Sequence, residues 1–315
     1  MTRNLFVAAM LVLVAGCVSF PKAPIPVETA RIDGDAVISV DSARLGLTQW
    51  RARNPYAVIV AIHGMNDYAG AFFYAGPYWA ERGISVYAYD QRGFGRSPDF
   101  GEWPGAATLE QDLRAVIAAV RRDNPDLPVF VVAHSMGAGV AMAAINEAPL
   151  DVDGVVFAAP GVWGGGSMSI LYRVALNSAA MLTPGKTLTG ERTGRLASDN
   201  IEFLRAMYDD AQVIKDTRLD AILGAVRIMG DGWKASKKIS GRFLYLYGAH
   251  DQIIPEKVLE KASMRLSGDV TIRRFPDGWH LLFADKDREM PLGDVVRWID
   301  RELTAGQMDA STGSS

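Results

Sequence analysis

The chain has 315 residues, of which 49% are hydrophobic and 22% charged, with 31 Gly and 15 Pro in no fixed period. That length allows one large domain or two ordinary ones, and that composition excludes a disordered or a collagen-like chain. The 33 basic and 36 acidic side chains leave a net charge of −3, without the basic excess of a general nucleic-acid binder, and the single Cys excludes an internal disulfide framework or a multi-Cys zinc cluster.

Residues 1–4 form a polar head carrying Arg3, and Leu5 to Ala15 is apolar but shorter than the roughly 20 residues that span a bilayer. A positive head, a short apolar stretch and small residues read as a secretory signal over 1–16. Its end, Val14-Ala15-Gly16-Cys17, resembles a bacterial lipobox. The resemblance implies cleavage before Cys17 and a diacylglycerol on its sulfur; without acylation Cys17 is a free or buried thiol. Several acyl chains on one residue anchor a protein stably, whereas one is marginal. Val18 stands where an Asp would favour inner-membrane retention, so the expected location is the bacterial cell envelope, lipid-anchored, at the outer membrane. Pro21, Pro24 and Pro26 predict a stiff, extended spacer over 17–30.

Residues 31–40 and 45–52 alternate apolar and polar side chains around a turn near Asp41-Ser42, which predicts an antiparallel hairpin. Val58-Ile59-Val60-Ala61-Ile62 is then continuously apolar, as a strand covered on both faces requires. Similar runs begin at Ile84, Val129, Val155 and Phe243, and Val270 to Phe275 is a weaker, alternating edge strand. Helical stretches lie at 69–82, 108–122 with Thr108 as N-cap, 136–147, 256–266 and 287–302. Alternating strands and helices predict an α/β fold, a mainly parallel doubly wound sheet with the hairpin at one edge. The core covers 31–160 and 241–303. Residues 161–240 exceed what a crossover needs, and helices at 167–182, 200–208 and 217–229 predict a helical cap over the sheet's carboxyl edge or an extra layer packed elsewhere. Residues 304–315, small and polar, are expected to be disordered.

Chemistry concentrates after three of the strands. Ala133-His134-Ser135-Met136-Gly137 places a Ser at a strand–turn–helix junction, the context of a nucleophile elbow, with Ala133 in place of the usual first Gly. A Ser needs a base and a group to orient that base. His280 follows the last strand and Asp251 follows the strand at Phe243, in the order Ser135, Asp251, His280. Asp277 and Asp285 are rival acids by their nearness to His280, and Asp251 could instead cap the helix that starts near Pro255. The oxyanion donors are expected at the N–H of Met136 and, in the loop His63-Gly64-Met65-Asn66, the N–H of Met65. His63, His134, Met168 and Leu171 are expected around the substrate; His134 and His250 otherwise read as structural, and Met168, Ile170, Leu171 and Leu182 as cap core. Asp90, Arg92 and Ser97 read as a structural turn. Four His without HExxH spacing carry no metal signal, and no phosphate loop is present, so no cofactor is expected.

These motifs, with Tyr89-Asp90-Gln91-Arg92-Gly93-Phe94-Gly95-Arg96-Ser97, Gly248-Ala249-His250-Asp251 and Gly278-Trp279-His280, resemble the α/β-hydrolase serine esterases, in particular the monoacylglycerol lipase and lysophospholipase-like group also called serine aminopeptidase-like. The resemblance spans about residues 45–302 and implies the α/β-hydrolase fold, a Ser–His–Asp triad and a cap over an acyl pocket. The expected activity is that of a membrane-anchored serine hydrolase cleaving lipid acyl esters such as monoacylglycerol or lysophospholipid. A peptidase or thioesterase of the same fold, and a non-catalytic envelope-binding lipoprotein, are the alternatives. Nucleic acid is not an expected partner, and the sequence leaves the oligomeric state open.

Overall fold

The computed structural model describes residues 18–189 and 194–312. The signal segment 1–16 and Cys17 lie outside the described residues. Strands β1 (Arg31–Asp33), β2 (Ala36–Ile38), β3 (Arg44–Trp50), β4 (Ala57–Ile62), β5 (Ile84–Tyr89), β6 (Val129–His134), β7 (Gly154–Ala158), β10 (Ser240–Gly248) and β11 (Ser267–Phe275) form one sheet in the order β1-β2-β3-β5-β4-β6-β7-β10-β11. The pairs from β5 to β11 are parallel, and β1, β2 and β3 run antiparallel at one edge. The expected hairpin is therefore three short strands, because Gly34 breaks the first arm with φ +62°. Two short strands in the insertion, β8 (Thr187–Thr189) and β9 (Asp216–Arg218), pair antiparallel in a separate ribbon.

The apolar runs explain the layering. Successive side chains of a strand point to opposite faces. Val58, Val60 and Ile62 belong to one core shared with α2 (Ala106–Asp123), α3 (Met136–Glu147), α6 (Leu219–Ala235) and α7 (Glu256–Ser263). Ala57, Ile59 and Ala61 meet α1 (Ala75–Ala80) and α8 (Glu289–Thr312) on the other. With both faces covered, every residue of β4, β5 and β6 is buried. The expected helix at 69–82 is a 3-10 turn at Ala69–Phe72 followed by α1, since Gly70, Gly76 and Pro77 interrupt a regular start. Helix α2 begins behind Gly105 rather than at Thr108, whose side chain is buried inside the helix.

Three expectations change. The segment 161–240 divides: α6 lies along α3 and is part of the core, with Gly232 allowing close approach to Gly139 of α3 and Gly224 making room for the Trp103 ring. Only the stretch ahead of it, with α4 (Ile170–Leu182) and α5 (Ile201–Asp209), forms the insert, and that insert carries the β8–β9 ribbon besides helices. The residues after 303 are not irregular: α8 continues to Thr312, with no Pro to stop a helix already propagating. Residues 18–30 are not a free spacer either. Val27 and Glu28 N–H both donate to Val40 O, Gln111 donates to Pro24 O at 3.1 Å, and the Phe20 ring meets Trp103 edge-on at 6.2 Å. The prolines keep the strap extended while its carbonyls and one aromatic side chain fix it to the core.

Candidate active site

The site is built where β6 ends. Ser135 follows His134 directly and sits at φ +50°, ψ −121°, a conformation a Ser adopts at a cost on the order of 1–3 kcal/mol. Its N–H donates to Ala158 O, and its carbonyl accepts from Ala138, Gly139 and Gly161 N–H, so the turn is held from both sides. Gly137 is required: a Cβ there would stand 2.5 Å from His63 O. Ser135 stands at the N-cap position of α3, but its side chain makes no capping bond to the helix.

The Ser135 Oγ lies 2.8 Å from His280 Nε2. On the far side of the same ring, Nδ1 is 2.7 Å from Asp251 Oδ2. A carboxylate can only accept, so Nδ1 carries the proton and Nε2 is left to accept from the Ser hydroxyl. Asp251 comes from the end of β10, and its other oxygen accepts from Ile253 and Ile254 N–H, each at 2.8 Å. Burial alone would raise this carboxyl, but the facing His280 ring and those two N–H groups outweigh it and hold Asp251 below the usual carboxylate range. The rival Asp285 makes no hydrogen bond to the ring. It accepts from Ser198 Oγ and from Trp279 N–H, and burial pushes it up to about 6. It braces the turn that delivers His280.

Met136 opens α3, so its N–H is one of those that a helix leaves without an internal acceptor. Met65 lies beside Ser135 on the wall of the same cavity. Gly64 lets this loop pass Ser135, since a Cβ there would be 3.0 Å from Ser135 Cβ. His63 is not at the substrate. Its Nε2 accepts from Gln91 N–H at 2.9 Å, tying the β4 loop to the β5 loop, and its Nδ1 donates to Gly64 O within its own loop, so both ring nitrogens are spent. Burial lowers its pKa to about 4, keeping it neutral. His134 does line the cavity. Its Nε2 donates to His280 O at 3.0 Å, and its ring lies 5.1 Å from that of His280. Asp90, Arg92 and Ser97 stay structural: Asp90 accepts from Ala69 and Arg96, and Arg92 is clamped between Asp41 and Asp112.

A cavity of about 530 Å³ opens over Ser135, His134 and His280. Leu204, Met207, Val213, Ile214, Ile253 and Leu281 give it an apolar wall, mostly from α5 and the loop after it. Asn66, Asp67, Lys215 and Asp216 give it a polar end. Met168 and Leu171 do not line it, nor does any other residue of α4, and Leu171 is exposed. The sequence reading thus chose the wrong helix of the insert. The better signal was α5, where Leu204 and Met207 recur at a spacing of three between the charged residues Glu202, Arg205 and Asp209. Asp67 was missed as well, although it follows the Gly64 loop directly. Burial raises it to about 7, with Asp210 and Asp90 nearby adding to the rise.

The insert is tied down around the cavity. Tyr68 Oη donates to Asp210 at 2.6 Å, Ile214 N–H to Asn66 O, and Asn66 Nδ2 to Thr217 Oγ1. On the base side, Leu281 N–H donates to Ala197 O and Asn200 Nδ2 to Ala284 O. Among the described residues there is no group of His, Cys, Asp and Glu that could hold a metal ion.

Comparison with known proteins places this arrangement. The family described as serine aminopeptidase, S33, matches residues 53–287. The chain is 26% identical over 255 residues to a monoacylglycerol lipase of Mycolicibacterium smegmatis, covering 79% of this chain and 90% of that one. It is 24% identical over 287 residues to a monoglyceride lipase of Mus musculus, covering 85% and 91%. Among solved structures, the monoacylglycerol lipase of Paleococcus ferrophilus superposes with a TM-score of 0.70 at 21% identity, covering 82% of this chain and 99% of that one. A soluble variant of the monoglyceride lipase of Saccharomyces cerevisiae gives 0.69 at 16%, covering 90% and 99%. Those two likenesses establish the α/β-hydrolase fold.

Proposed function

The chain belongs to the serine aminopeptidase S33 family and is a serine ester hydrolase of the α/β-hydrolase fold, and from that premise we propose that it cleaves the acyl ester of a single-chain lipid, a monoacylglycerol or a lysophospholipid, through Ser135, His280 and Asp251. We propose further that a lipidated Cys17 holds it to the bacterial outer membrane. The observation that carries the catalytic reading is the unbroken pair of hydrogen bonds, Asp251 to His280 to Ser135, at the floor of an amphiphilic cavity.

In this mechanism His280 Nε2 takes the Ser135 hydroxyl proton as Oγ bonds to the ester carbonyl carbon. The carbonyl oxygen becomes an oxyanion facing the Met65 and Met136 N–H groups at the head of α3, where the helix dipole adds to their pull. The carbon–oxygen bond to the alcohol then breaks, and His280 returns its proton to the leaving alkoxide. Water attacks the acyl-enzyme, gives one proton to His280, and the fatty acid leaves as that proton returns to Ser135. The apolar wall from α5 suits one acyl chain, and the Asn66–Asp67–Lys215–Asp216 end suits a hydroxylated head group. The names of the relatives, monoacylglycerol and monoglyceride lipases, agree with such a substrate.

The test is hydrolysis of p-nitrophenyl esters from acetate to palmitate, with a monoacylglycerol beside a lysophosphatidylcholine, by the wild type and by Ser135→Ala. A long-chain optimum in the wild type and none in the variant is expected. An acetate optimum, or equal rates in the two proteins, overturns the reading. Intact mass of the mature chain, with acyl mass on Cys17, and recovery in the outer-membrane fraction test the anchor separately.

A further inference from the structure

His280 sits in a frame made partly by the insert. Three peptide groups around it are bonded. Trp279 N–H donates to Asp285 Oδ2 at 2.8 Å, His280 O accepts from His134 Nε2, and Leu281 N–H donates to Ala197 O at 2.9 Å. Ala197 belongs to the stem of the insert, residues 196–200, which runs straight into α5. Asp285 leads to the same stem, because its other oxygen accepts from Ser198 Oγ at 2.6 Å. Ser198 is 0% exposed and Asp285 4%, so this carboxyl joins the His280 loop to the insert out of water.

Two more bonds lock the stem to the turn after His280. Asn200 Nδ2 donates to Ala284 O at 2.8 Å, and Lys286 N–H donates to Asp199 Oδ1 at 2.9 Å. The same Asn200 caps α5, its Oδ1 accepting from Phe203 N–H at 3.1 Å. On the acid side, Leu196 N–H donates to Gln252 Oε1, one residue past Asp251. The helix that this stem starts supplies Leu204 and Met207 to the apolar wall of the cavity. A continuous set of bonds thus runs from α5 through Asn200 and Ser198 to the peptide groups on either side of His280. The ring must keep 2.8 Å to Ser135 Oγ and 2.7 Å to Asp251 Oδ2. A displacement of about 1 Å in such a group costs about a hundredfold in rate, so a shift of the stem too small to unfold anything is large enough to be felt.

We propose that Asp285 is a positioning residue for His280, and that through Ser198 it makes the placement of that ring depend on the α5 roof. An acyl chain lying along Leu204 and Met207 holds α5 and its stem in place and so sets His280 for proton transfer. A short acyl group leaves the roof unloaded. Selectivity for the acyl chain then appears in kcat and not in KM alone. This inference rests on the ester-hydrolase reading of Ser135, Asp251 and His280 given above.

The experiment measures kcat and KM separately for p-nitrophenyl acetate and octanoate in the full chain, with Ser198→Ala, Asp285→Ala and Asp285→Asn beside wild type. In wild type, kcat should rise about tenfold from acetate to octanoate. Ser198→Ala keeps the Trp279 bond and cuts the link to the roof, so it should erase that rise while KM for octanoate stays within about twofold. Asp285→Ala loses both bonds and should lower kcat on both esters. Asp285→Asn can accept from Trp279 N–H and donate to Ser198 Oγ, so it should recover most of that loss. The downfield proton resonance of His280 Nδ1, in its bond to Asp251, should broaden in Ser198→Ala and stay sharp in Asp285→Asn, at an unchanged circular dichroism spectrum. A long-chain preference carried by KM alone in wild type overturns the proposal and leaves the ester-hydrolase reading standing, and that measurement needs no variant to fold. An equal fractional loss of kcat on both esters in Ser198→Ala also overturns it, since Asp285 would then hold His280 without reference to the roof. Absence of any hydrolysis that depends on Ser135 overturns both readings together.

Discussion

Ser135 occupies a backbone conformation that a Ser does not choose, and the Gly137, Gly161 and Ala158 contacts that enforce it present its oxygen to His280. Replacing it by Ala should lower kcat for any ester by about a thousandfold or more while the fold persists. Loss of labelling by a fluorophosphonate, with an unchanged circular dichroism spectrum, checks this. Asp67 supports a second prediction, on stability. Burial holds its carboxyl at about 7, so between about pH 4 and 7 the folded chain keeps a proton that the unfolded chain has lost. This group therefore weakens the fold progressively as pH rises through that window and adds no further loss above it. Asp67→Asn removes the effect and still accepts the bond from Tyr68 N–H. Urea unfolding should show the variant gaining on wild type from pH 4 to 7, then running parallel. A constant difference across the range would contradict the raised carboxyl.

At the scale of elements, the buried strands were legible because a strand covered on both faces is written as an uninterrupted apolar run, and β4, β5, β6 and β7 are such runs. The starts of α3 and α7 were placed to the residue and that of α2 to within two, but α8 runs ten residues past its expected end at 302. The β8–β9 ribbon was not legible: three residues a side carry no period, and the pairing of Thr187 with Arg218 spans thirty-one positions of chain. The docking of the strap was hidden as well, since Phe20 finds Trp103 and Arg227 only in the folded state. Close approach of α3 to the β4 loop makes Gly137 the sensitive joint between elements. Gly137→Ala should cost about 1–3 kcal/mol from overpacking against His63 O. Because that loop carries Met65, ester hydrolysis should fall more than stability alone explains, which urea midpoints and kcat measured on the same protein will separate.

Across the whole molecule, one sheet places Ser135, Asp251 and His280 beyond the ends of β6, β10 and β11, and an insert bonded to both sides of the site covers them. Tyr68→Phe deletes the bond to Asp210 that joins the Gly64 loop to the insert. It should raise KM for long acyl esters several-fold while kcat for the acetate ester stays within about twofold. A uniform fall in kcat would mean the tyrosine serves the chemistry and not the roof. By itself the sequence determined the fold class and the order of Ser135, Asp251 and His280, because apolar periodicity and short motifs are local properties of a chain. Only the tertiary structure decided that Asp251 and not Asp285 meets His280, that α5 and not α4 roofs the cavity, and that His63 is spent on a loop. Each of those outcomes depends on which buried polar groups find partners across many residues of chain, and that competition is settled when the elements pack.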